Sequence, residues 1–213
     1  MKFLRKHWFD IGGFLSILVL GFIYLNFKTL TNYQLLMWLS LTSLFFHQLE
    51  EYRFVGTFPG MINTVMYKSK IPDRYPLNTN TSLYINVFIG WLSYFIAALF
   101  AEEAVWLGMA TIMVSLGNTI AHTIVFNIKG KTIYNAGQLT SLLFFAPCIY
   151  FFIKIIDEDN LVITKDFLIG ILLGIALNII GVLKLIDWMA DKNTTYIFDN
   201  RNLLTKDRKN NIS

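Results

Sequence analysis

His47, Glu50 and Glu51, in FFHQLEEYRF (45–54), and Asn118 and His122, in GNTIAHTIVFN (117–127), have the types and spacings to do chemistry. On a helix, His47, Glu50 and Glu51 form an i, i+3, i+4 set on one face, and Asn118 and His122 form an i, i+4 pair. Two imidazoles and a carboxylate are a ligand set for zinc or non-haem iron. Helical zinc motifs such as H-E-x-x-H and H-x-x-E-H take ligands one turn apart and use a neighbouring glutamate as base. In HQLEE a carboxylate stands where those motifs have a second histidine, so His122 has to complete the set. The reading assigns His47, Glu51 and His122 as metal ligands and Glu50 as general base for a metal-bound water. Asn118 then orients the substrate or the ligands. The competing reading is a salt-bridge cluster at a helix end, with His47 hydrogen-bonded across helices.

The elements that would hold these residues follow from composition. The chain has 213 residues, of which 55% are hydrophobic and 15% charged, and its mean hydropathy is +0.52. That balance belongs to a bilayer protein. The net charge of +4 comes from basic residues spread between apolar runs, which excludes a nucleic-acid surface. The single cysteine, Cys148, excludes an intrachain disulfide.

About 20 apolar residues cross the hydrocarbon core, and six stretches approach that length: 8–27, 33–52, 83–100, 104–126, 136–156 and 167–186. The fold expected is all-α, a bundle of six transmembrane helices in one domain (1–190), with a polar, solvated cytoplasmic tail (191–213). The basic leader MKFLRKH precedes a long apolar run without an Ala-x-Ala site, so a retained helix is expected rather than a cleaved signal. Placing both termini in the cytoplasm puts all but Lys28, Lys154 and Lys165 of the 18 lysines and arginines inside, as the positive-inside rule requires. His47 and His122 then lie at matched depth near the cytoplasmic boundary of a cell-membrane, multi-pass protein. Glu102 and Glu103 fall at the opposite end and are left out of the site. Trp8, Tyr52 and Tyr134 are read as interfacial anchors, Asn178 as interhelical glue, and Asp187 with Lys184 as a solvated pair. Gly170 and Gly174 form a GxxxG that suits internal packing or a homodimer.

HQLEEY, followed by NTIAHTIVF and YNAGQLTS, resembles the HXXEE family of integral membrane proteins over roughly Leu35 to Phe152. The resemblance implies a helical membrane protein and supplies no activity. From the residues, the leading expectation is a metal-dependent membrane hydrolase acting on a lipid or an amphiphilic peptide. The alternatives are a cofactor-free acid/base lipid isomerase or lipid-binding enzyme, a transporter, and a structural membrane protein.

Overall fold

The computed structural model describes residues 1–159 and 161–208, which are helical throughout their ordered elements and contain no strand. Helix α1 is Lys2–Asn26. Helix α2 begins as Asn32–Leu49, opened by Thr31, whose hydroxyl accepts from the Gln34 amide while Gln34 reaches back to the Thr31 N–H. It continues through a wider turn, Glu50–Phe54. A short helix, α3, covers 58–66. Helix α4 covers 79–100, with Asn78 accepting from the Asn80 and Thr81 amides at its start. Helix α5 covers 105–130, α6 is Gln138–Glu158 and α7 is Thr164–Trp188.

Four helical runs among the described residues are long and apolar enough to cross a membrane: Lys2–Asn26, Thr79–Gly130, Gln138–Glu158 and Thr164–Trp188. Six were expected, and two physical causes account for the difference. The run Thr79–Gly130 holds two of the expected stretches, because it folds back at Ala101–Ala104. The Tyr94 hydroxyl lies 2.8 Å from both Thr111 O and Ser115 Oγ. In a straight helix those residues would be about 25–32 Å away. The other case is α2, which is long enough but carries Ser40, Thr42, Ser43, His47, Gln48, Glu50 and Glu51 in buried positions. It packs at the centre of the bundle, where protein rather than lipid must satisfy its side chains.

Small residues set the close approaches around it. A methyl on Gly13 would meet Leu49 at 2.9 Å, and one on Gly170 or Gly174 would meet Met109 or Met113 at 2.9 and 2.7 Å. The GxxxG face of α7 is therefore used within the chain, against α5. Asn178 Nδ2 donates across the same seam to Met113 O at 3.2 Å, the interhelical bond expected of it.

Several surface expectations are corrected. Trp8 and Tyr52 are interior residues at 1% and 2% exposure, with ring centroids 4.8 Å apart. Asp187 accepts from the Tyr67 hydroxyl at 3.0 Å instead of pairing with Lys184. The tail is exposed along most of 191–208, as expected, but it also docks on the bundle through a few residues. Phe198 and Leu203 are buried, and Asn202 Nδ2 donates to Tyr52 O and Gly56 O at 3.1 and 2.8 Å. Residues 209–213, with Lys209 of the expected inner charge set, lie outside the described residues. The tail straps the same end of the bundle that holds the start of α1 and the end of α2, through Lys6–Asp199 at 2.6 Å and Thr64 to Asp207 at 2.6 Å. Glu102 is far from this end and accepts from the Thr31 hydroxyl.

Candidate metal centre

His47, Glu51 and His122 come together in the interior, at 2%, 4% and 0% exposure. His47 and Glu51 are one turn apart on α2, and His122 projects from α5 so that the two imidazole rings stand edge to face, centroids 4.8 Å apart. One nitrogen or oxygen from each of the three residues lies within 4.8 Å of the others, a grouping that can hold a metal ion. The winding widens at Glu50–Phe54 in α2, at Ala121–Val125 in α5 and at Ser141–Phe145 in α6. These three adjoin the cluster, but the winding widens also at Met61–Met66, Tyr84–Trp91 and Leu177–Lys184, so it does not by itself mark the site.

The surrounding hydrogen bonds fix the tautomer of each ring. Asn135 Nδ2 is 2.7 Å from the His122 carbonyl oxygen, which can only accept, so Asn135 Oδ1 faces His122 Nδ1 at 2.7 Å and takes its proton. The Thr140 hydroxyl has one proton and two neighbours that only accept, the Glu50 carboxylate at 2.6 Å and Gly137 O at 3.2 Å. Its lone pairs are left for His47 Nδ1, 3.0 Å away, which must donate. In the neutral rings both Nε2 atoms therefore carry lone pairs, and both are buried without a hydrogen-bond partner. They converge on one Glu51 oxygen, 3.5 Å from His47 Nε2 and 3.2 Å from His122 Nε2.

Three acceptors facing one another repel unless a cation or proton lies among them. Metal–ligand bonds of about 2.0–2.2 Å set tetrahedral ligand-to-ligand separations of roughly 3.3–3.6 Å, and the two histidine-to-carboxylate separations fall close to that range. Asn135 and Thr140 hold the rings by the opposite nitrogen, as the outer partners of metal-bound histidines do.

Glu50 is placed differently from the expectation. Its two oxygens accept from Tyr134 Oη at 2.6 Å, Leu139 N at 3.2 Å, Thr140 N at 2.8 Å and Thr140 Oγ1 at 2.6 Å. It anchors the first turn of α6, where free amides and the helix dipole favour an anion. With its oxygens so engaged, Glu50 holds Thr140 against His47, and these bonds supply no support of their own for the assignment as general base. Substituting Glu50→Gln is expected to lower stability by about 2 kcal/mol through lost charged hydrogen bonds, read as a fall in thermal midpoint in detergent. Unchanged stability with lost activity would support the base assignment.

Asn118 lies near the cluster without touching it. Its Nδ2 donates to Val114 O of its own helix at 3.0 Å, while the residue lines a cavity of about 70 Å³ together with His47, Gln48, Glu51 and Asn86. Gln48 stiffens this wall, accepting from Trp91 Nε1 at 2.6 Å and donating to Asn86 Oδ1 at 3.0 Å.

Sequence reasoning missed Asn135, Gly137 and Gln48. Gly137 has φ +103°, and both rings pack on it, so that a methyl there would lie 2.7 Å from His122 Nδ1 and 2.9 Å from His47 Cε1. A signal for it was present in YNAGQLTS, where a glycine sits just before a helix start.

A family model described as a protein of unknown function with HXXEE motif matches residues 38–152, more than half of the chain. The chain belongs to the HXXEE family. No curated protein and no solved structure matches it. In this HXXEE protein the signature residues are His47, Glu50 and Glu51, and the geometry divides them. The histidine and second glutamate face the candidate metal position, and the first glutamate fastens α6 beside it. The matched span also takes in His122, Asn135, Gly137 and Thr140, so every residue of the centre falls within the family region.

Proposed function

We propose that this HXXEE protein is a multi-pass membrane metalloprotein whose His47, Glu51 and His122 bind one divalent ion, zinc or iron, for hydrolysis of a lipid or amphiphilic peptide. The observation that carries the reading is the pair of lone-pair-bearing Nε2 atoms, buried without partners, directed at one carboxylate oxygen. Three protein ligands with a further coordination position for water is the pattern of catalytic rather than structural zinc. Held by His47, Glu51 and His122, such a metal would supply an activated water near neutral pH. The chain's own residues hold the imidazoles by Nδ1 and form the polar wall of Gln48, Asn86 and Asn118 beside them. The cavity of about 70 Å³ is well under the roughly 300 Å³ of ordinary ligand pockets. It suits water and one small reacting group, with the rest of an amphiphilic substrate outside it.

The same reading takes all six apolar stretches as crossings of the cell membrane and both termini as cytoplasmic. The loop charges support it, as does the gathering of the start of α1, the end of α2 and the tail at one end, opposite Glu102.

Elemental analysis of detergent-purified protein tests the metal. Near one zinc or iron per chain is expected, falling to background in His47→Ala and in His122→Ala. Folded wild-type protein that neither retains nor takes up either ion would overturn the reading. A second reading rests on the same triad, since one proton shared by Glu51 and an imidazole also relieves the repulsion. It gives a cofactor-free acid/base enzyme, and activity indifferent to chelator would favour it.

A further inference from the structure

At the end of the bundle that holds the tail strap, a second feature is independent of the metal centre. Lys2, Arg5 and Lys6 occupy the first turns of α1 and face a cleft of about 420 Å³ closed on its other side by Thr79, Tyr196 and Ile197. Among the described residues no carboxylate lines this cleft. Lys6 is matched to Asp199 at 2.6 Å, and the nearby acid Asp10 is taken by His7 and Arg53 at 2.9 and 3.1 Å. Arg5 has a ring for a partner, its guanidinium standing 4.3 Å from the centroid of Tyr196. Arg201, in the adjoining cleft, spends its donors on the backbone carbonyls of Tyr52 and Arg53. Among the described residues Lys2, Arg5 and Arg201 are thus cations without an acidic partner, gathered where α1 begins.

We propose that this cleft binds the headgroup of an anionic phospholipid. Charge complementarity names the anion, and the rest of α1 names the lipid. Beyond its cationic turns the helix continues into exposed Phe14, Ile17, Leu18 and Leu20, a surface that acyl chains cover once the headgroup is seated. A soluble phosphate compound has no use for that apolar continuation. Basic pockets at helix ends are a recurrent way of holding anionic headgroups, with each cation contributing about fivefold in affinity. The proposal rests on the membrane reading of α1 and not on the bound metal.

The test uses the full chain reconstituted in phosphatidylcholine bilayers carrying a minor fraction of labelled phosphatidylglycerol. Flotation of every variant with the vesicles checks insertion separately, and chain that does not float overturns the membrane reading and the lipid site with it. Enrichment of phosphatidylglycerol around the wild-type chain is expected. It should fall about 30-fold in the double variant Lys2→Gln/Arg5→Gln, persist in Arg5→Lys, and be unchanged in Lys165→Gln. Equal affinity for the two lipids, or full enrichment in the double variant, overturns the proposal. Displacement of the labelled lipid by millimolar inorganic phosphate overturns the lipid as the ligand and leaves a phosphate site.

Discussion

Gly137→Ala is expected to abolish metal retention and to destabilise the chain by about 2–5 kcal/mol. Two terms add. At φ +103° an L side chain pays the left-handed penalty of roughly 1–2 kcal/mol, and overpacking a filled interior costs about 1–3 kcal/mol more. The added methyl has nowhere to go. It would stand 2.7 Å from His122 Nδ1 and 2.9 Å from His47 Cε1, and closer still to His122 Cε1. Relief requires moving one ring off the other or lifting Gly137 away from both. Either motion stretches the bonds that set the tautomers, because Asn135 precedes Gly137 in the loop and Thr140 follows it in the first turn of α6. Metal content and thermal midpoint should therefore fall together. A Gly137→Ala protein with wild-type values of both would show that the loop does not hold the rings.

The same loop explains how much of the site could be read in advance. His47 and Glu51 were legible because helical periodicity alone puts them one turn apart. His122 was legible because the placement of α5 opposite α2 matches their depths, and the rings do meet. Glu50 lies on the same helix face, yet its function depends on where α6 begins, a long-range fact. Its partners Leu139 and Thr140 are about 90 residues away in the chain. Asn135 was illegible for a similar reason, since only the fold shows that its amide joins the His122 carbonyl and ring. Trp8 and Tyr52 were misplaced because the interfacial rule assumes a helix end meets headgroups. Here the tail and α3 cover that end, with Phe58 5.6 Å from the Tyr52 ring. The stretch in α2 falls outside the four apolar runs because its polar side chains lower its hydropathy, and they are satisfied by protein, which this helix meets on most sides.

Glu51→Gln should separate the metal site from a merely structural cluster by changing stability in opposite directions with and without metal. In the wild-type chain stripped of metal, the Glu51 oxygen faces two Nε2 lone pairs at 3.2 and 3.5 Å, and all three groups are buried. A glutamine in its place brings N–H donors to at least one of the two orphan nitrogens, converting repulsion into a hydrogen bond worth about 1 kcal/mol. Chelator-treated Glu51→Gln is therefore expected to be more stable than chelator-treated wild type at neutral pH. Adding zinc should reverse the order. At a free metal concentration about 100 times Kd, binding stabilises the wild type by about 2.7 kcal/mol, while the variant, lacking its anionic ligand, gains little. Thermal midpoints of the two proteins in chelator and in zinc make a four-point comparison with a crossing as its signature. If Glu51→Gln is instead destabilised under both conditions by the same amount, the carboxylate is holding the histidines as an ion-pair partner, and no metal is needed to explain why three acceptors share this interior.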